Sequence, residues 1–293
     1  MTRDTVETDS PDSFATSEID ANFDVSHNPT PSLLCETHKD IALRQVRSFY
    51  KLIFPVFFAT IKANSFGRKV QIMKHRIVTA AQMKEIERAG NAHGLPYLQM
   101  MENAGQAAYA QLRARLPQGG ALLIVCGKGN NGGDGLVIAR AAAQDGWRVA
   151  VLLAEGDPKT PDAMTNYARL ADLPVTLCRD AAALAAQPFD AVVDALYGTG
   201  FHGSLRPAGL ASCALMNLQR ESGAFVLAVD LPSGINTDTG EAAEGAVRAD
   251  LTVTFDSCKP LHTAPGSAPF CGEVVCADIG IRDEWHPAGL AQR

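Results

Sequence analysis

The 293-residue chain has no C-x-x-C pair, no His/Cys cluster with metal-ligand spacing and no evident catalytic His or Tyr-Lys pair. Seven cysteines, an odd number, are scattered through apparent strands and helices. They read as reduced thiols in a cytoplasmic protein, not as a disulfide framework or a transition-metal site. Positive charge is not in excess either. Twenty-six Lys and Arg against 32 Asp and Glu leave a net charge of -6, which disfavours nonspecific nucleic-acid binding. No apolar run is long enough for a bilayer, since Leu52 to Ile61 is short and interrupted by Pro55. No internal repeat is found. What remains is 46% hydrophobic and 20% charged, enough for one sizeable domain with a full core.

The first 75 residues differ from the rest. Up to Asp24, Asp4, Glu7, Asp9, Asp12, Glu18, Asp20 and Asp24 face the single base Arg3. Such a composition buries too little to order itself. Between Val25 and His75 the balance reverses, with Lys39, Arg44, Arg47, Lys51, Lys62, Arg68, Lys69 and Lys74 against Glu36 and Asp40. The early acids fit a transit peptide badly, and a signal peptide calls for an early basic region. The expectation is a disordered extension over 1–75 outside the fold, with Met73 as the biological start, and one domain over 76–293.

From Arg76 helices and strands alternate. Thr79 caps a helix with Met83, Ile86 and Gly90 on its apolar face, and Gly94-Leu95-Pro96 ends it. A second helix, from about Tyr97 to Leu116, aligns Met101, Gly105, Ala108 and Leu112. Strands follow at Ala121 to Cys126, Arg148 to Ala154, Val175 to Cys178, Ala191 to Leu196, Phe225 to Leu231, Leu251 to Phe255 and Glu273 to Ile279. Several are continuous apolar runs, as when both faces are covered. The fold expected is α/β, a Rossmann-like three-layer α/β/α sandwich with a mainly parallel sheet. Short links between the later strands suggest an antiparallel pair there.

The most informative segment is Cys126-Gly127-Lys128-Gly129-Asn130-Asn131-Gly132-Gly133-Asp134-Gly135, between a strand and a helix. Gly127, Gly129 and Gly132 satisfy G-x-G-x-x-G, and Glu155 closes the next strand where a ribose-binding acid can sit. That match alone is weak. Asp134 is expected in the first helical turn, where a carboxylate repels phosphate, so an ordinary dehydrogenase loop is disfavoured. Asn130 and Asn131 suit hydroxyls, a carboxamide or a hard cation. The plainer reading makes Asp134 a helix cap and the glycines a tight turn. Cys126 reads as a small buried hydrophobe rather than a reactive thiol.

Parallel sheets bind ligands at the carboxyl ends of their strands. Those ends hold Gly127 to Asp134, Asp194 to Ser204 and Asp230 to Gly234. Asp194 and Asp230 each end an apolar strand, where an unpaired carboxylate is costly; as caps or turn residues they would need no further role. His202 reads as a solvated loop residue able to touch phosphate.

The glycine loop resembles the signature of the NAD(P)H-hydrate epimerase family, which also forms the N-terminal half of bifunctional nicotinamide-nucleotide repair enzymes and the apolipoprotein A-I-binding protein. The same resemblance extends, in order, through Met101-Glu102-Asn103-Ala104-Gly105, Asp194-Ala195-Leu196-Tyr197-Gly198-Thr199-Gly200, Val229-Asp230-Leu231-Pro232-Ser233-Gly234, Lys259-Pro260 and Gly272 to Ile281. It implies a nucleotide-hydrate pocket lined by Asn130, Asn131, Gly132, Gly133, Asp134, Gly198, Thr199, Gly200, Phe201, His202, Gly203, Ser204 and Asp230. It implies a potassium ion held by Asn131, Asp194 and Ser233. The alternative is that Asp194 and Ser233 only hydrogen-bond their loops together.

The implied reaction interconverts the R and S forms of hydrated NADH or NADPH. The carbon bearing the added hydroxyl is a hemiaminal, so the ring nitrogen can expel water and readdition to the other face inverts the centre. Asp230 is expected to be the acid–base group, with burial and a nearby cation pulling its acidity in opposite directions. The resemblance implies a small-molecule substrate, no nucleic acid and no membrane, and leaves a homodimer open. Bifunctional relatives carry a nucleotide-dependent dehydratase domain after the epimerase, and none is expected here before Arg293. Two alternatives stand beside it: a non-catalytic nucleotide- or protein-binding module on the same fold, and an NAD-dependent dehydrogenase.

Overall fold

The computed structural model describes residues 76–286. The expected extension over 1–75, with Met73 and the Leu52 to Ile61 run, lies outside the described residues, as do 287–293.

Two helices open the fold. Helix α1 (Ala80–Ala92) starts at a Thr79–Gln82 capping box and buries Met83, Ile86 and Gly90. Helix α2 (Tyr97–Arg115) buries Met101, Gly105, Ala108 and Leu112 among others. Both apolar faces follow the helical period read in the sequence.

The strands are β1 (Ala121–Cys126), β2 (Arg148–Leu153), β3 (Val175–Cys178), β4 (Ala191–Ala195), β5 (Phe225–Val229), β6 (Leu251–Phe255) and β7 (Glu273–Ala277). They form one sheet in the order β3-β2-β1-β4-β5-β6-β7. Every neighbouring pair is parallel, so the expected antiparallel pair is not formed. The segments 230–250 and 256–272 hold no long helix, only turns, 3-10 turns and the four-residue helix α6 (Ala268–Cys271). Even so, each is long enough to carry the chain back across the sheet for another parallel strand.

Side chains of β1 alternate between two cores. Leu122, Ile124 and Cys126 pack with α1, α2 and helix α3 (Asn130–Gln144) on one face. Leu123 and Val125 pack with Cys213, Leu215 and Met216 of helix α5 (Pro207–Glu221) on the other. Helix α4 (Pro161–Ala168) follows β2. This is the expected three-layer sandwich, and its chain order reverses between β1 and β4. A crevice therefore opens at the carboxyl ends of those two strands, where doubly wound sheets bind ligands.

Candidate functional site at the strand ends

Backbone proximity fixes the β1–α3 junction. Gly127 N–H donates to Ala195 O at 3.0 Å, extending the β1–β4 ladder past Cys126. A side chain at Gly127 would strike the Leu196 carbonyl, and one at Gly132 would strike the Gly127 carbonyl. Only glycine allows helix and strand so close. The helix starts at Asn130 and has no side-chain cap at Gly129, so the N–H groups of its first turn are left for solvent or a ligand. Asp134 is consequently not in the first turn, which holds no acid. The helix begins sooner than the sequence suggested, and the repulsion argument against an anion there falls.

A cleft of about 650 Å³ opens beside this junction. Asn130, Asn131, Gly198, Thr199, Gly200, Phe201, His202 and Ser204 line it, as the sequence led us to expect. Gly203 lies within the same loop at a φ of 77°. Gly132 and Gly133 are buried; the nearest neighbours of Gly133 are Met101 and Ala163, so both shape the loop from behind. Glu155 is in the cleft wall, accepting from Tyr197 Oη at 2.9 Å and Arg206 at 3.1 Å. Thr160, just before α4, also lines the cleft, and its buried Oγ1 has no partner among the described residues. Nothing in the sequence singled out Thr160. Cys126 is fully buried, and that burial, with Asp134 nearby, drives its thiol pKa far upward, so it is the inert hydrophobe expected.

Asp194 and Ser233 meet directly between the ends of β4 and β5. Ser233 Oγ donates to Asp194 Oδ1 at 2.6 Å, and Ser233 N–H donates to Oδ2 at 2.7 Å. Both residues are fully buried. Burial pushes the Asp194 carboxyl up to about 6 despite these hydrogen bonds, and no ammonium or guanidinium pairs with it among the described residues. Asn131 has a buried, unpartnered Nδ2 and lies against Gly198, its Oδ1 3.4 Å from where a Cβ would stand. Among the described residues no three or more His, Cys, Asp or Glu gather as a metal cluster. One carboxylate, a hydroxyl and an amide that can turn its oxygen inward are hard, weakly charged donors. They fit a large monovalent cation better than a transition metal.

Asp230 follows β5 with a φ of 66°, a left-handed conformation that costs a non-glycine residue about 1 kcal/mol or more. Several contacts hold it there. Its N–H donates to Val253 O at 2.8 Å. His262 accepts from Lys259 N–H through Nδ1 at 3.0 Å, leaving Nε2–H to donate to the Asp230 carbonyl at 2.9 Å. Lys259 Nζ reaches Asp230 Oδ1 at 2.6 Å and also donates to Thr254 Oγ1 and Phe255 O. Thr254 Oγ1 donates to the same carboxylate oxygen at 2.8 Å. Burial presses the Asp230 pKa upward, but the Lys259 ammonium outweighs it and keeps the carboxyl below the ordinary range. Of the two opposing effects, the cation wins, and it belongs to the protein. The sequence offered Lys259 as part of a motif without a role, and offered His262 not at all. A lysine next to Pro260 at the end of an apolar strand was the available signal.

A smaller cavity of about 80 Å³ adjoins the cleft, and Asn130 lines both. Its walls include Tyr97, Met100, Met101, Ala104, Phe255 and Ile279, with the carboxyls of Glu87 and Asp134. Asp134 thus faces this chamber and not the cleft, and Asp230, expected in the pocket wall, is among the lining residues of neither. Burial and the charges of Asp230 and Glu87 raise the Asp134 pKa well above the ordinary value.

Residues 97–261 match the family of the YjeF-related protein N-terminus. An NAD(P)H-hydrate epimerase of Pirellula staleyi is 41% identical, over 64% of this chain and 85% of its own length. One of Limosilactobacillus fermentum is 37% identical, over 70% and 98%. The bifunctional NAD(P)H-hydrate repair enzyme Nnr of Pyrobaculum aerophilum is 39% identical over 71% of this chain, which spans only 42% of that relative's length. The crystal structure of yeast ynu0 superposes with a TM-score of 0.56 at 23% identity, covering 64% of this chain and 83% of that one.

Proposed function

The chain belongs to the YjeF-related N-terminus family, and from that premise we propose that it is an isomerase that interconverts the R and S forms of hydrated NADH and NADPH. The single observation that carries this reading is the Asp230–Lys259 pair. A carboxylate held ionised just after β5, on the sheet edge where the amide- and glycine-lined cleft also opens, can serve as a base for a neutral, hydroxyl-bearing substrate. A pure binding module has no use for a buried ammonium that keeps one carboxylate charged.

In this reading the nucleotide lies along the cleft. Asn130, Asn131 and the loop 198–204 contact it, and the open first turn of α3 offers N–H groups to its phosphates. Gly132 and Gly133 let the chain approach. The hydrated ring reaches Asp230 and Asp134. With a proton supplied from solvent, the ring nitrogen expels the hydroxyl as water; water then adds back to either face and gives its surplus proton to Asp230, which returns it to solvent, so the hemiaminal reforms with either hand. Lys259 and Thr254 hold the carboxylate in place and keep it ionised.

Asn131, Asp194 and Ser233 are the residues that would hold potassium. The unpartnered Asn131 amide and the unneutralised Asp194 carboxylate support that assignment. When bound, the ion supplies a fixed positive charge beside the loops after β4 and β5. The reading includes a cytoplasmic setting, consistent with six described cysteines outside any disulfide. No described helix is long and apolar enough to cross a membrane.

Chiral chromatography of purified S and R hydrates, with and without the protein, tests the function. Interconversion faster than the spontaneous rate is expected; an unchanged ratio of the two forms would falsify the assignment.

A further inference from the structure

Glu87 is on α1, outside the loops assigned so far and before the segment that matches the family. It follows the buried Ile86 and stands one turn after the buried Met83, so it flanks the helix's apolar stripe. Most long acids so placed find an Arg or Lys, because an unpaired buried carboxylate is costly. Glu87 has no hydrogen bond or ion pair among the described residues, and it lines the small cavity instead. Asp134 lines the same cavity and is likewise without a hydrogen bond there. Protein encloses the Asp134 carboxyl, so the surface left to it belongs to the cavity. The remaining walls are apolar side chains and a third acid, Asp162 of α4, with Asn130 shared with the nucleotide cleft. A chamber with mostly apolar walls and three acids, sharing Asn130 with the cleft, suits the flat hydrated ring of the substrate. It does not suit the phosphates.

We infer that Glu87 is a second acid–base residue of this site, working on the hydrated ring in the small cavity as proton donor while Asp230 works as proton acceptor. The inference rests on the epimerase reading. In the forward step the Glu87 carboxyl gives its proton to the departing hydroxyl. The ring carbon–oxygen bond breaks, its electrons leave with water, and the nitrogen lone pair closes a carbon–nitrogen double bond. Water then adds to the ring carbon, the electron pair returns to nitrogen, and the surplus proton goes to Asp230. One water leaves and one enters; a proton returned from Asp230 to Glu87 through solvent resets the site, and the opposite hand runs the same steps backwards.

The environment sorts the two carboxyls for these roles. Burial, followed by the charge of Asp230, raises Glu87 to about 7, against the pull of Lys259, with Asp256 and Lys84 adding smaller opposing effects. Asp230, paired directly with Lys259, is pushed the other way. One carboxyl that keeps its proton near neutral pH beside one that has lost it is the arrangement of an acid and a base. Asp134 lines the same cavity, and the charge of Glu87, after burial and Asp230, adds to its need for a proton.

The experiment compares wild type, Glu87→Gln and Glu87→Asp in the full chain, following R/S interconversion from pH 5 to 9 together with melting temperature. For Glu87→Gln we expect kcat to fall about a hundredfold, the low end for losing an acid–base group, with KM within about threefold. The alkaline limb of the wild-type profile should be absent from what remains, and Glu87→Asp should restore part of the rate and the limb. Melting temperature should hold or rise, since an unpaired carboxyl leaves an apolar wall. A Glu87→Gln protein with wild-type kcat and an unchanged alkaline limb would overturn the role. So would a loss of rate that parallels a loss of folded protein. A wild type that does not interconvert the hydrates overturns the epimerase reading, and this inference with it; the two failures are distinct because only the first leaves wild-type activity in place.

Discussion

Lys259 Nζ stands 2.6 Å from Asp230 Oδ1, with the lysine side chain 1% exposed and the aspartate 13%. A pair so enclosed contributes little net stability compared with apolar residues, yet breaking it from one side leaves an uncompensated charge. It is better understood as a device that fixes the charge and direction of Asp230.

Replacing Lys259 with Met should therefore cost roughly 3–5 kcal/mol of stability. It should also move the acid limb of the rate profile to higher pH, because the charge holding the Asp230 carboxyl down is gone. Denaturant unfolding and a pH–rate series check both. A variant as stable as wild type with the same acid limb would show the pair to be incidental.

Asp230→Asn retains shape and removes the base. Interconversion should slow by about two to four orders of magnitude, while hydrate binding, followed by calorimetry, survives. Wild-type turnover in this variant would remove Asp230 from the mechanism.

For the cation, melting curves in potassium and in a large organic cation are the measurement. Wild type should melt higher as potassium rises, because a ligand bound only to the native state stabilises it by mass action. Asp194→Ala should not respond. A wild type indifferent to potassium would leave Asp194 and Ser233 as a loop fastening, which their two direct hydrogen bonds already provide.

Glu87 makes a separate prediction about folding. Its folded value of about 7 lies above the ordinary 4.5, so the native state binds the extra proton. Its stability contribution is complete below about 4.5 and is lost as pH rises through about 7. Melting temperature should fall across that window more steeply in wild type than in Glu87→Gln. Parallel curves would mean that the carboxyl is not held protonated.

The glycine junction predicts a contrast between neighbours. Gly132→Ala forces a methyl onto the Gly127 carbonyl and should cost about 1–3 kcal/mol or more. Gly129→Ala meets nothing within 4 Å and should cost at most about 1 kcal/mol, the usual loss for alanine at a helix cap. Equal unfolding midpoints would refute the packing argument.

The layers were legible because burial on two faces writes apolar runs. The strands β1, β3 and β6 have the bounds read from the sequence, and the α1 face of Met83, Ile86 and Gly90 follows from the spacing. The direction of the last strands was not, because a crossover built of turns and 3-10 pieces lacks the periodicity that marks a helix. The site divided in the same way. Loops dense in glycine and amides are visible locally, so Asn130, Asn131 and the 198–204 loop were found. Glu87 and Lys259 act through contacts across 143 and 29 residues from Asp230, and a single charge at an ordinary position in a helix or loop shows no pattern until the chain folds.

The backbone contacts at Gly127 and Gly132 divide the cleft into a wall that can vary and a wall that cannot. Carbonyl oxygens occupy the space where side chains would have to grow at Gly127 and Gly132, so the near wall can change only at Lys128, Gly129, Asn130 and Asn131. The far wall, from Thr199 to Arg206 with Glu155 and Thr160, has no such restriction at its side chains. A mutant library intended to redirect this scaffold to other nucleotides should randomise the far wall and leave Gly127 and Gly132 alone, because diversity placed at those two glycines will be lost as unfolded protein before any substrate is met.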